Sequence, residues 1–201
     1  YLDRKVASFV QAVREETDGE TRFVLTADHG ENLGFEADEG LFGHKSSLTE
    51  ALLHVPLSLV NPPDGYDARE TRYFSHLALG TLIAGLARGE TPNVFADRDP
   101  AELIGTTNVP DVDDRERTYW RRMIRCVYEG ETKLTRDSLG ETVEYTIDHT
   151  RPCWQELASD NAVDWPTWAD DYFTEGIRSY KRRFDSETNV HADVDEFTKE
   201  Q

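Results

Sequence analysis

Asp28 and His29 stand side by side, followed by Gly30 and Glu31, directly after the apolar run Phe23-Val24-Leu25. Where a strand breaks into a loop, an adjacent carboxylate and neutral imidazole can both turn toward one cation. Those two donors suit zinc or manganese, and the carboxylate alone suits magnesium or calcium. Gly30 would let the backbone turn sharply behind the pair. Further on, Gly34, Gly40 and Gly43 space a polar loop that ends on His44 and Lys45. A basic pair delivered just ahead of a helix can grip a tetrahedral oxyanion. The plain alternative for Asp28 and His29 is a capped turn whose imidazole makes only a hydrogen bond.

The elements that must position these residues alternate along the chain. Leu2, Val6, Phe9, Val10 and Val13 fall on one helical face over residues 2–16. Phe23-Val24-Leu25 is dense enough for the interior of a parallel sheet, and Leu57-Ser58-Leu59-Val60 reads as another strand. Between them, Ser47-Leu48-Thr49-Glu50 has the spacing of a capping box for a helix through Leu53. Ser75 can cap a helix that turns Leu79, Leu82, Ile83 and Leu86 inward and stops at Gly89. Asp99-Pro100-Ala101-Glu102 predicts one more short helix, from its cap, its proline at the first position and its acidic first turn. Asp111 to Arg117 is a charged connector. Runs at 123–128, 132–135 and 142–147, parted by Glu129-Gly130 and Leu139-Gly140, predict a small antiparallel meander. Trp165-Pro166 leads into a helix reaching about Phe184, and a polar tail follows Ser186.

The run Thr26-Ala27-Asp28-His29-Gly30-Glu31-Asn32-Leu33-Gly34, then Gly43-His44-Lys45-Ser46-Ser47-Leu48-Thr49-Glu50, then His54-Val55-Pro56-Leu57, resembles the sulfatase family of the alkaline phosphatase superfamily. Residues 23–60 carry the sharp part of the match. The resemblance implies an α/β fold, an alkaline-phosphatase-like mixed or parallel sheet flanked by helices, with a small C-terminal antiparallel sheet and a terminal helix. On that plan residues 1–118 belong to the core, 119–186 to a subdomain and 187–201 to a loose tail. It also implies a metal-dependent sulfuric ester hydrolase acting on a small-molecule or carbohydrate sulfate ester. Asp28 and His29 match the family's downstream metal ligands. His44 stands where sulfatases carry a substrate-binding lysine and phosphatase-like relatives a metal-binding histidine, so it would hold a second metal or protonate the leaving group. Lys45 would bind substrate, and Glu31 would orient His29 or a water. The implied cation is calcium or magnesium for a sulfatase, zinc or manganese for a phosphatase-like relative.

The family's nucleophile, a Cys or Ser in a Cys/Ser-x-Pro/Ala-x-Arg motif, precedes its Asp-His pair. Here Cys126 and Cys153 both follow it, and Cys153-Trp154-Gln155-Glu156 lacks the Pro and Arg. This chain alone is therefore expected not to turn over substrate, and it opens as a segment of a longer protein would, on Tyr1 inside an amphipathic pattern. Two other readings stand beside the sulfatase: a phosphoesterase or phosphoryl transferase, and a non-catalytic remnant or interaction module.

A net charge of −18, with lysine confined to Lys5, Lys45, Lys133, Lys181 and Lys199, argues against nucleic acid and anionic membranes as partners. The same surface fits a protein adapted to high salt, where screening relieves self-repulsion. No apolar stretch reaches the roughly 18–20 residues of a membrane span, and no signal peptide opens the sequence. Among the remaining candidates, His54 and His76 read as helix-end residues, and His149 and His191 as solvent-facing. Arg121, Arg122 and Arg125 could meet an anionic substrate but more simply neutralise neighbouring acids. Trp154, Trp165, Trp168, Tyr172 and Phe173 read as docking contacts for the last helix rather than a carbohydrate platform. Asp111, Asp113 and Asp114 lack the ordered pattern of a calcium loop. Cys126 reads as a small core filler.

Overall fold

The structure, a computed structural model, describes residues 1–19, 21–44, 47–67, 69–103, 113, 118, 120–151, 153–159 and 163–173. Helix α1 (Leu2–Glu16) has no interior Gly or Pro and ends where Thr17 turns back, its backbone N–H and side chain both bonding to Val13 O. None of its residues is buried, and Leu2 and Phe9 remain largely exposed. Strand β1 (Phe23–Thr26) pairs with β4 (Leu57–Val60), Phe23 opposite Val60 and Thr26 opposite Leu57. Between these strands lie the short strands β2 (Asn32–Leu33) and β3 (Phe42–Gly43), joined through a 3-10 turn at Glu36–Asp38, and helix α2 (Glu50–Leu53). An open groove of ≈730 Å³ separates α1 from the β1–β4 ribbon, with Val6, Val10, Leu25 and Val60 among its walls.

The chain continues through β5 (Tyr73–Phe74), a 3-10 turn at His76–Ala78, helix α3 (Leu79–Ala87) and β6 (Phe95–Ala96), which pairs with β5. The largest sheet follows. Its strands are β7 (Arg98–Leu103), β8 (Ile124–Glu129), β9 (Thr132–Asp137), β10 (Thr142–Ile147) and β11 (Gln155–Ser159), in the order β11-β10-β9-β8-β7. Helix α4 (Thr167–Tyr172) closes the described part. No helix among the described residues is long and apolar enough to cross a membrane.

Alternation along β8 sends its side chains to two faces, as the period of a strand requires. Ile124, Cys126 and Tyr128 pack with Leu48, Ile147 and Leu53 on the face covered by α2. Val127 points the other way, against Ala169, Phe173, Trp165 and Trp168 around α4. Arg98 lies over the Trp168 ring at 4.7 Å and Arg125 over Phe173 at 4.9 Å, so two strand arginines stack on the aromatics that dock α4.

The α/β fold with a mixed or parallel sheet flanked by helices is not what forms. Every strand pair among the described residues is antiparallel, in one five-stranded and three two-stranded sheets, with few helices. The misreading begins at Phe23-Val24-Leu25. A continuous apolar run says that a strand is covered, not which way its partner runs, and these three residues are only half-buried. Residues 99–102 are likewise a strand, not a helix. Pro100 is tolerated there because β7 is the sheet's edge, and Ala101 opposite Cys126 reaches the apolar row of β8. Finally, α2 begins at Glu50 with Thr49 as its cap residue, two positions later than the capping-box spacing suggests, and the Ser47 hydroxyl accepts from Asn32 instead of capping the helix.

Candidate metal centre

The segment after β1 is held against α2 at Gly30, whose N–H donates to Leu52 O at 2.9 Å. A β-carbon on residue 30 would lie 1.8 Å from Ala51 O, so glycine is needed there for close backbone approach rather than for a sharp turn. His29 donates from Nδ1 to Gly30 O at 2.7 Å, since a carbonyl can only accept. In the neutral ring Nε2 would keep its lone pair for a cation, and it lies 3.8 Å from Asp28 Oδ2, close enough for the protonated ring to attract that carboxylate. Asp28 also accepts the His29 backbone N–H, and that bond, followed by the charge of His29, holds its carboxyl below the usual range.

Asn32 pairs with Gly43 and Leu33 with Phe42 across β2 and β3. Continuing the register one rung brings Glu31 opposite His44, and His44 Nδ1 meets Glu31 Oε2 at 2.9 Å. The His29 and His44 rings lie 4.5 Å apart between centroids, tilted by 34°. His29, Glu31 and His44 thus each offer a donor atom within 4.8 Å of the other two, all three partly exposed to solvent. Ligands about 2.1 Å from a tetrahedral cation sit roughly 3.4 Å apart, so small side-chain rotations would gather this set. Asp28 stands beside His29 but outside the trio. Lys45 lies outside the described residues.

Buried polar contacts hold this loop in place. Asn32 donates to Ser47 Oγ at 3.0 Å and accepts from the Thr49 hydroxyl at 2.5 Å. The Asp38 carboxylate receives the N–H groups of Leu33 and Phe35. Glu39 accepts from Tyr145 and Gln155 on the sheet. Deeper still, the fully buried Lys133 donates to Leu48 O, to Glu50 Oε1 at 3.0 Å and to Gln155 Oε1 at 2.9 Å, while Tyr128 donates to Glu50 Oε1 at 2.5 Å. The Lys133 contacts do not show in the sequence, because Leu48 and Glu50 lie more than 80 residues away. The glycines between Glu31 and His44 signal a turn that returns one toward the other, but the register that pairs them does not show in the sequence.

The other candidates serve local structure. The Ser75 side chain caps Leu77 N–H, and His76 Nε2 meets the Thr26 hydroxyl at 3.3 Å. His149 lies against Gly130 O and the Tyr73 hydroxyl, half-buried rather than solvent-facing. Arg122 pairs with Asp137 and Arg125 with Glu102. Cys126 is fully buried, which pushes its thiol up to about 12, and Cys153 is exposed, its thiol raised by partial desolvation and by the nearby charges of Asp38 and Glu50. His191, Asp111, Asp114 and the stretch from 174 onward lie outside the described residues. No family model, curated protein or solved structure matches the chain.

Proposed function

We propose that this chain forms the metal-binding wall of a site that hydrolyses tetrahedral oxyanion esters, of sulfate or of phosphate. The grouping of His29, Glu31 and His44 carries the reading. It falls on the loop whose residue order resembles the sulfatases. His29 and His44 would supply imidazole nitrogens, and Glu31 would supply a carboxylate oxygen or hold the Nδ1 proton of His44. Asp28, next to the free nitrogen of His29, would complete the set. A bound divalent cation would supply Lewis-acid polarisation of the ester oxygen. Cys126 would not supply the attacking group, because it is fully buried in the sheet core with Ile124, Tyr128 and Ile147.

One observation favours the phosphate-ester version. Two imidazoles with a carboxylate suit zinc or manganese better than calcium or magnesium, and the resemblance associates a metal-binding histidine at position 44 with phosphatase-like relatives. A non-catalytic binding module is the rival of a different class.

Calorimetric titration with zinc, manganese, calcium and magnesium separates these readings. Zinc or manganese should bind most tightly. His29→Ala or His44→Ala should abolish measurable binding, and Glu31→Gln or Asp28→Ala should weaken it about 10- to 100-fold. A folded wild-type chain without metal affinity would overturn the proposal in favour of the non-catalytic module. Competition between inorganic sulfate and phosphate for the loaded site would then rank the two esters.

A further inference from the structure

The sheet face beneath α2 is filled at one end and open at the other. Along β9, Lys133, Thr135 and Asp137 alternate onto that face. Lys133 is covered by Leu48 and Glu50. Further along, Thr135 stands opposite Val143 of β10, and Asp137 opposite Ile124 of β8. Here a half-open cavity of ≈110 Å³ remains between the sheet and the loop residues Glu39, Ser47 and Thr49. Water occupies about 30 Å³ per molecule in the liquid, so the space holds about four non-hydrogen atoms beneath a head group at its rim.

The lining decides what fits. At the base, Arg122 is bonded to Asp137 at 3.1 Å, and the two charges offset each other. The exposed Glu39 and Glu141 stand at the rim. Burial, then Glu39 and then Glu141 raise the Tyr145 hydroxyl above its ordinary value, so both carboxylates act on one group. Tyr145 and Gln155 donate to Oε1 of Glu39, which leaves its Oε2 and the Glu141 carboxylate without a donor among the described residues. Inside, the Thr135 hydroxyl has no hydrogen-bond partner among the described residues, and the Ser47 hydroxyl accepts from Asn32 but donates to none of them. Acceptors of negative charge at the mouth and unspent hydroxyl donors within select a ligand that is cationic at one end and an acceptor at the other.

We propose that this cavity binds a small organic cation, a primary ammonium on a short chain that carries an oxygen acceptor. The ammonium sits between Glu39 and Glu141, the oxygen meets Thr135 and Ser47, and the carbons lie against Leu48, Ile124 and Val143. The site needs no metal, so it stands or falls apart from the metal reading.

Titration followed by nuclear magnetic resonance, on the chain without added metal, tests it with three probes of nearly one size. 2-Methoxyethylammonium should bind with a dissociation constant of about 1–10 mM, the scale open to so small a ligand, and shift the amides of Thr135, Glu141 and Val143. n-Butylammonium, with a methylene in place of the oxygen, should bind about threefold more weakly. n-Butanol, which has no charge, should show no saturable binding. Thr135→Val should remove the preference for the methoxy compound, and Glu141→Gln should weaken both ammonium probes about threefold, with circular dichroism confirming that the variants keep the fold. Asp3→Asn, which removes an acid from α1 outside the cavity, should change neither affinity. Absence of saturable binding, or equal weakening by Asp3→Asn and Glu141→Gln, overturns the site and leaves only attraction to an acidic surface. Equal affinity of wild type for the two ammonium probes, or binding of n-butanol as tight as theirs, overturns the ligand class.

Discussion

Residue 30 is where the backbone is most tightly constrained. The Gly30 N–H bonds Leu52 O, and its α-carbon sits where any side chain would enter the Ala51 carbonyl. Gly30→Ala should push the Asp28–Glu31 segment off α2. The expected loss is about 1–3 kcal/mol in urea unfolding, the usual cost of overpacking, together with weaker zinc binding as His29 moves away from His44. Unchanged stability and affinity would contradict the tight fit. That a glycine was needed after Asp28-His29 could be read from the sequence. The reason could not, because the obstructing carbonyl belongs to a helix well downstream. Glu31 shows the same limit. Its acidity was plain, but its partnership with His44 depends on a hairpin register that the loop length alone does not fix.

Among the elements, α2 and the five-stranded sheet are bound by a buried charge pair. Lys133 spends all three of its N–H donors on Leu48, Glu50 and Gln155, which leaves the charge of Glu50 compensated in a place shielded from solvent. Removing one partner of such a pair costs about 3–5 kcal/mol, whereas removing both charges costs far less. Lys133→Met should therefore lower stability by roughly that amount. Adding Glu50→Gln should recover part of the loss in the same denaturation experiment, and additive losses would rule out the pairing. The strands β8, β9 and β10 were legible because period-two alternation and glycine turns bracket them. Strand β7 was not, because Asp99-Pro100-Ala101-Glu102 carries every local mark of a helix start, and only pairing with β8 decides otherwise. The direction of β1 was hidden for a related reason: apolar content reports cover, while strand direction is set by the partner.

For the molecule as a whole, 40 acidic against 22 basic residues make pH a main control on stability. Asp99 contributes in the opposite sense to a salt-bridged acid. Burial lifts its carboxyl from 3.8 to about 7 in the folded chain, beside Tyr73 and Cys126, with which its charge interacts. Between those two values the folded state holds a proton that the unfolded state has released. The contribution of Asp99 is therefore most favourable below pH 3.8 and is lost as pH rises through about 7. Asp99→Asn should gain stability relative to wild type on going from about pH 5 to about pH 8, read from urea midpoints. The same offset at both values would show that the carboxyl is not held neutral.

The ties that fix the metal loop also set a sequence of events in time. Strands β8, β9 and β10 meet their neighbours across tight turns, so their contacts close over short stretches of chain. The bonds from Glu50 to Tyr128 and Gln155 span 78 and 105 residues. Contacts of that separation form late, because the entropy of closing the intervening chain must first be met. A folding chain would thus possess its sheet before its metal loop is anchored. His29, Glu31 and His44 meet across a short hairpin of their own, but that hairpin would be fixed in place only when α2 settles onto a surface already built.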